Sequence, residues 1–387
     1  MKSVELFAGA GGLGMGLHRS GFHPINVIEW DRYCCDTIKE NKARGVDGVK
    51  SWPLTAGDVR HVDFKQYAGK VQLVSGGPPC QPFSMGGKHG AHNDERDMFP
   101  QAIRAVRDIQ PKAFIFENVK GLTRATFRNY FEYIRLQLEF PEMERKIKRG
   151  EKWEDHLARL EQQYTSGSRS GLTYRVVAQV LNAANFGVPQ RRERVFFVGF
   201  RENLEIRWSF PLPTHSQEAL FWDQVHGDYW IRHKVPRGER AVSSRAAKLV
   251  RELKVPTTAL AWRTVRDAIS DLPDPETEPK LSAQLLNHKF QPGARSYFGH
   301  TGSHFDEPAK TLKAGVHGVP GGENMLLHPN GDVRYFTVRE SARLQTFPDD
   351  FLFHGSWGET MRQLGNAVPV KLAQFIGDEV ARTLKAA

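Results

Sequence analysis

The chain predicts an α/β fold, a parallel sheet covered on both faces by helices, followed by a second, loop-rich domain. Three observations carry this. Short apolar runs alternate with stretches of helical periodicity through the first third of the sequence. Those runs are apolar at almost every position, as strands buried on both faces are. Composition then shifts after Phe200, where residues 201–330 hold many prolines, glycines, arginines and histidines among short apolar runs.

The elements follow in order. "SVELF" (3–7) reads as a buried strand, leading through a glycine loop into a helix over about 11–20. "INVIE" (25–29) reads as the second strand, with a helix from about Asp31. "GDV" (57–59) marks the end of a third strand. "VQLVS" (71–75) and "AFIFE" (113–117) are further strands, with a helix over about 98–109 between them, and "RVFFVGF" (194–200) is another. Residues 140–165 are highly charged and helical in pattern, which predicts an inserted helical excursion with a solvated surface. Helical patterns return after about Phe336, in "TVRESARLQTF" and "VPVKLAQFIGDEVARTLKAA".

The 387 residues suggest about two domains. The formal charge of +10 and a pI near 9.5 suit a polyanionic partner, nucleic acid above all, and equally a generally basic surface. Three cysteines, Cys34, Cys35 and Cys80, form no disulfide framework and point to a reducing compartment. No His/Cys group has zinc spacing, no signal-peptide stretch is evident, and no run of about 18 apolar residues predicts a membrane span.

"LFAGAGGLGMG" (6–16) follows a strand and opens a helix, so its glycines bring backbone N–H groups close to a ligand at a helix N-terminus. Glu29, ending the second strand, can accept from ribose hydroxyls; Trp30 can lie against an adenine; Asp58 can accept from an adenine amino group. The loop lacks the spaced glycines of a dinucleotide site, and no Walker lysine follows it. An adenosine-bearing cofactor without pyrophosphate fits better, and S-adenosylmethionine is one.

"GGPPCQPFS" (76–84) braces Cys80 between prolines at a strand's C-terminal end, where open parallel sheets bind ligands. A thiolate needs a lowered pKa, which cationic neighbours supply. "QRRER" (190–194) offers Arg191, Arg192 and Arg194, and "ENV" (117–119) places Glu117 at another strand end. Cys34 and Cys35 sit early in a helix and read as packing residues.

With these motifs in view, the sequence resembles the DNA (cytosine-5)-methyltransferase family. "LFAGAGG", "GGPPCQPFS", "ENVKG", "QRRERVFFVG", "RESARLQTFPDDF" and "QLGNAVPV" occur in the family's order, from residue 6 to residue 370. The resemblance implies a Rossmann-like S-adenosylmethionine-dependent domain over 1–200, interrupted at about 140–165. It implies a smaller target-recognition domain over 201–330, and a segment, 331–387, returning to the catalytic domain. Phe7, Gly9, Gly11, Gly12, Leu13, Glu29, Trp30, Asp58, Val59, Pro79, Met98, Asn366 and Val368 would then hold the cofactor, released as S-adenosylhomocysteine.

The implied chemistry begins with Cys80 adding to cytosine C6. Glu117 would bind or protonate N3, Arg194 would take the carbonyl oxygen, and Arg192 would help place base and thiol. Asn118 would hold the loop. The base must leave the helix, and Ser84 would enter the vacated space. Thr311 and Leu312 occupy the family's Thr-Leu position in a DNA-recognition loop. The expected partner is double-stranded DNA, met by a monomer without metal or membrane contact, in the bacterial cytoplasm at the nucleoid. A cognate restriction endonuclease would act separately. Two alternatives stand beside this: the tRNA cytosine-5 branch, which usually carries a cysteine after the one corresponding to Cys80, absent here, and a catalytically silent DNA-binding protein. A nicotinamide oxidoreductase is disfavoured by the glycine pattern.

Overall fold

A computed structural model describes residues 1–79, 97–298, 301–314 and 324–387. A seven-stranded sheet forms its centre: β1 (Lys2–Leu6), β2 (His23–Glu29), β3 (Leu54–Ala56), β4 (Leu73–Gly76), β5 (Ala113–Val119), β6 (Tyr174–Asn182) and β7 (Glu193–Arg201). The spatial order is β3-β2-β1-β4-β5-β7-β6. Strand order reverses between β1 and β4, and the crevice beyond the carboxyl ends there is where open α/β sheets bind ligands.

The first five strands pair in parallel, but β7 runs antiparallel to both β5 and β6. The all-parallel sheet expected from the sequence is therefore corrected at this edge. The consequence is chemical. Because β7 is reversed, its first residues, not its last, lie beside the carboxyl end of β5.

Thirteen α-helices lie among the described residues. Those before β6 are α1 (Gly12–Arg19), α2 (Arg32–Ala43), α3 (Phe99–Ile109), α4 (Arg128–Glu139) and α5 (Trp153–Thr165). Then come α6 (Gln217–His226), α7 (Tyr229–Arg232), α8 (Ser244–Leu253), α9 (Val265–Ile269) and α10 (Pro279–Ser282). The last are α11 (Val338–Leu344), α12 (Trp357–Asn366) and α13 (Val370–Ala386). A three-stranded sheet joins Ser303–His304, Met325–Leu327 and Val333–Tyr335. Helix α13 lies on α1, with Leu13 and Leu17 packed among Leu372, Ala373 and Ile376. Helix α12 is tied to α2, where the Thr37 hydroxyl donates to Gln363 Oε1 at 2.7 Å.

The charged stretch at 140–165 is not the fully solvated helix its composition suggests. Helix α5 turns His156, Leu157 and Leu160 inward onto α4. The Trp153 ring meets Tyr130 and Tyr133 edge-on, and His156 shares a 2.8 Å hydrogen bond with the Tyr133 hydroxyl. Leu160 is fully buried. Leu160→Ala should lower unfolding free energy by about 2–5 kcal/mol in urea denaturation, against about 0.5 or less for a solvated position.

Among the described residues no helix is long and apolar enough to cross a membrane. No group of three or more His, Cys, Asp and Glu among them could hold a metal ion.

Candidate active site

A cavity of about 580 Å³ opens at the carboxyl ends of β1, β2, β4 and β5. Each wall comes from what a strand does as it ends. β1 turns sharply at Phe7, whose φ of 52° is left-handed and uncommon for a residue with a side chain. The chain then passes Gly9, whose N–H donates to Glu29 Oε2 at 2.7 Å. Glu29 Oε1 accepts from the N–H groups of Trp30 (2.9 Å) and Asp31 (2.8 Å). Three backbone donors thus fix a buried carboxylate at the cavity wall. Burial pushes its pKa up, against those hydrogen bonds.

Trp30 lies at the cavity with 70% of its surface exposed. Apolar surface of that size left in water at a cavity rim suits a planar ligand. Asp58 and Val59 line the cavity beyond β3. The Asp58 carboxylate accepts from Arg60 Nη2 at 2.6 Å, and this contact holds its pKa below the ordinary aspartate value. Leu13, Gly12, Asn366 and Val368 close the wall from α1 and the turn between α12 and α13.

Gly12 has no room for a side chain, since a Cβ built there would lie 2.2 Å from the Val368 carbonyl oxygen. Gly11 departs from its expected role. It does not line the cavity; a Cβ there would meet the buried Trp52 ring at 2.8 Å, so the bare glycine seats that ring behind the loop.

The second end of the cavity holds the acid. Val119 pairs with Arg194 and Glu117 with Phe196 across β5 and β7, which puts Glu117 and Arg194 on one face as diagonal neighbours. Arg194 Nε stands 2.9 Å from Glu117 Oε1 as an ion pair whose N–H is not aligned on that oxygen. Glu117 is buried, and burial pushes its pKa up, opposed by the charges of Arg194 and Arg192. Asn118 faces the other way and donates to the Pro78 carbonyl at 2.9 Å, tying down the turn as expected. Met98 N–H donates to the Pro79 carbonyl at 3.2 Å, so both residues meet at the cavity wall. Cys80 and Ser84 lie outside the described residues.

Three further expectations are revised. Arg192 is fully buried and does not line the cavity. Its guanidinium donates to the carbonyls of Gly365 (2.7 Å) and Leu312 (3.2 Å), joining the entry of β7, the segment at 311–312 and the end of α12. Leu312 is 1% exposed and packs in the core, so its side chain offers nothing to DNA. The Thr311 hydroxyl donates to the Arg191 carbonyl at 2.7 Å. Both residues therefore join this segment to the entry of β7.

Sequence reasoning missed Arg362, Gln363 and Cys34 on the lining. Arg362 pairs with Asp31 at 2.8 Å and closes the ring beside Glu29. The available signal was helical spacing, since Arg362, Gln363 and Asn366 share one face of α12. Burial pushes the Cys34 thiol pKa up, which agrees with a packing role.

The model for the C-5 cytosine-specific DNA methylase family matches residues 1–142 and 167–382. The type II methyltransferase M.PspPI of Psychrobacter sp. (strain TA137) is 33% identical over 99% of this chain and 80% of its own. M.NgoMIV of Neisseria gonorrhoeae, also a type II methyltransferase, is 29% identical over 99% of this chain and 98% of its own. Among solved structures, the S. pombe Dnmt2 methyltransferase superposes with a TM-score of 0.56 at 16% identity, covering 100% of this chain and 99% of that one. The expected fold, an α/β methyltransferase scaffold on a mostly parallel sheet, is thereby met. The chain belongs to the C-5 cytosine-specific DNA methylase family.

Proposed function

We propose that this DNA cytosine-5 methyltransferase moves a methyl group from S-adenosylmethionine to C5 of a flipped-out cytosine within a short, specific site of duplex DNA, through a covalent bond from Cys80 to C6. The observation that carries it is the Glu117–Arg194 pair at one end of a cavity whose other end offers Trp30 and Glu29. The residues fit the cofactor. An exposed indole, a carboxylate anchored by three N–H groups with lone pairs to spare, and a glycine wall without side chains form a cradle for adenosine and a short tail. When bound, S-adenosylmethionine supplies an electrophilic methyl group.

The protein's own groups do the remainder. The Cys80 thiolate adds to C6, and Glu117, whose pKa burial pushes up, gives a proton to N3, so the C5=C6 electrons are held as an enamine. Arg194 donates to the cytosine carbonyl oxygen. After C5 is methylated, its proton leaves to water, the Cys80–C6 bond breaks, and the N3 proton returns to Glu117. Asn118, through Pro78, fixes the turn that leads to Cys80.

Tritiated methyl transfer to duplex DNA, with tRNA as the comparison acceptor, tests the reading. Duplex containing 5-fluorocytosine should trap a covalent complex, because fluorine at C5 cannot leave as a proton would. Cys80→Ala should abolish transfer and trapping; a Cys80→Ala protein methylating at the wild-type rate overturns the mechanism.

A further inference from the structure

Many arginines in this fold have an acidic partner. Arg232 pairs with Asp223, Arg266 with Asp306, Arg334 with Glu340, and Arg343 with Asp349. Residues 234–254 are different. Lys234, Arg237, Arg240, Arg245, Lys248, Arg251 and Lys254 stand against two carboxylates, Glu239 and Glu252. Their guanidinium contacts are to neutral groups: Arg240 to the Val235 carbonyl (3.0 Å), Arg245 to Gln217 Oε1 (3.3 Å) and Arg251 to the Ala247 carbonyl (3.2 Å). Arg245, Lys248 and Arg251 are all exposed.

Leu220, Phe221, Tyr229, Trp230, Ala246 and Val250 form an apolar cluster under α6, α7 and α8 that also takes in Ala184, just beyond β6. Helix α8 spends Ala246 and Val250 on it, leaving Arg245, Lys248 and Arg251 at successive i, i+3 positions outside. The outer face carries no large apolar side chain, so it is not built to enter a lipid surface. The row covers about 9 Å of helix axis, enough for about two or three phosphates spaced about 3.4 Å along one strand of a duplex. Placement agrees. Thr214 N–H donates to the Asn185 carbonyl and Trp262 Nε1 to Asn185 Oδ1, both at 3.0 Å. Asn185 follows β6, at the end of the sheet where the cavity opens.

We infer that the outer face of α8 is a second DNA-contact surface, gripping the phosphates of duplex that flanks the methylated site on one side only. This rests on the duplex-DNA reading above. The grip is electrostatic and independent of sequence. It extends the footprint asymmetrically, because such a basic helix occurs once among the described residues.

Bisulfite sequencing of DNA from an expressing host first identifies the site. Duplexes carrying that site are then extended to the left, to the right or on both sides, and kcat/KM is measured against salt. Wild-type protein should gain from extension on one side alone. The triple variant Arg245→Ala, Lys248→Ala, Arg251→Ala should lose that gain, and its slope of log kcat/KM against log salt should fall by about 2–3 on the extended duplex. Its rate on the unextended duplex should not change, which also shows that it folds. Arg245→Lys with Arg251→Lys should keep the wild-type slope, since the charges remain. A triple variant with the wild-type slope and flank dependence overturns the inference. Wild-type protein that methylates no duplex at all overturns the parent reading and this one with it.

Discussion

Glu117→Gln should lower single-turnover methyl transfer by about 10²–10⁴-fold, the usual worth of a positioned proton donor. The substitution keeps the volume of a buried side chain that Arg194 approaches at 2.9 Å, so folding should survive and thermal melting should verify it. What is lost is the transferable proton. Burial pushes the Glu117 pKa up against the opposing charges of Arg194 and Arg192, so the protonated acid persists to higher pH than in an exposed glutamate. The sign follows from the raised pKa. Activity that needs the protonated carboxyl is complete below that pKa and is lost as pH rises through it. In Glu117→Gln this descending limb should vanish, leaving a low rate with little dependence on pH from this group. A variant within about threefold of wild type would remove Glu117 from the proton inventory.

The difference between what the sequence showed and what it hid has physical reasons. Residues at the carboxyl ends of successive parallel strands must share one edge, so Phe7, Glu29, Asp58, Pro79 and Glu117 could be grouped from strand positions alone. Strand direction is another matter. "RVFFVGF" is as apolar in either orientation, and only the intervening β6 reverses it. β6 itself, "YRVVAQVLN", is an edge strand with mixed exposure, and gave no clean apolar run. Arg192 and Arg194 stand two apart but are held by different partners. Arg194 is inside β7 and obeys its alternation, while Arg192 precedes the strand and is turned by carbonyls 120 and 173 residues away. Contacts that distant leave no local periodicity. The same holds for Leu312, whose burial depends on a core assembled from both ends of the chain. Charge counting also misled at α5, because two turns of apolar contact are enough to bury one face of a helix that is polar elsewhere.

Gly12→Ala should damage cofactor binding and folding together. The new methyl group would lie 2.2 Å from the Val368 carbonyl oxygen and 3.1 Å from Phe347 Cζ. A flexible side-chain tip could swing away; a backbone carbonyl on the residue that lines the cavity cannot, without moving the turn between α12 and α13. That turn carries Asn366 and Val368, while α13 beyond it packs on α1. Overpacking of this kind typically costs about 1–3 kcal/mol of stability. Each 1.4 kcal/mol withdrawn from the bound state weakens the cofactor about tenfold, so isothermal titration should show a loss of about 5- to 150-fold. Gly9→Ala separates the causes. A Cβ at Gly9 meets nothing within 4 Å, but its φ of 56° is left-handed, so alanine there suffers backbone strain without a clash. That strain costs about 1–2 kcal/mol. If crowding against Val368 shapes the cavity wall, Gly12→Ala must weaken cofactor binding more than Gly9→Ala at equal loss of stability. Equal loss of affinity in the two variants would mean that the loop's conformation alone sets binding, and that the closeness of Val368 is only packing.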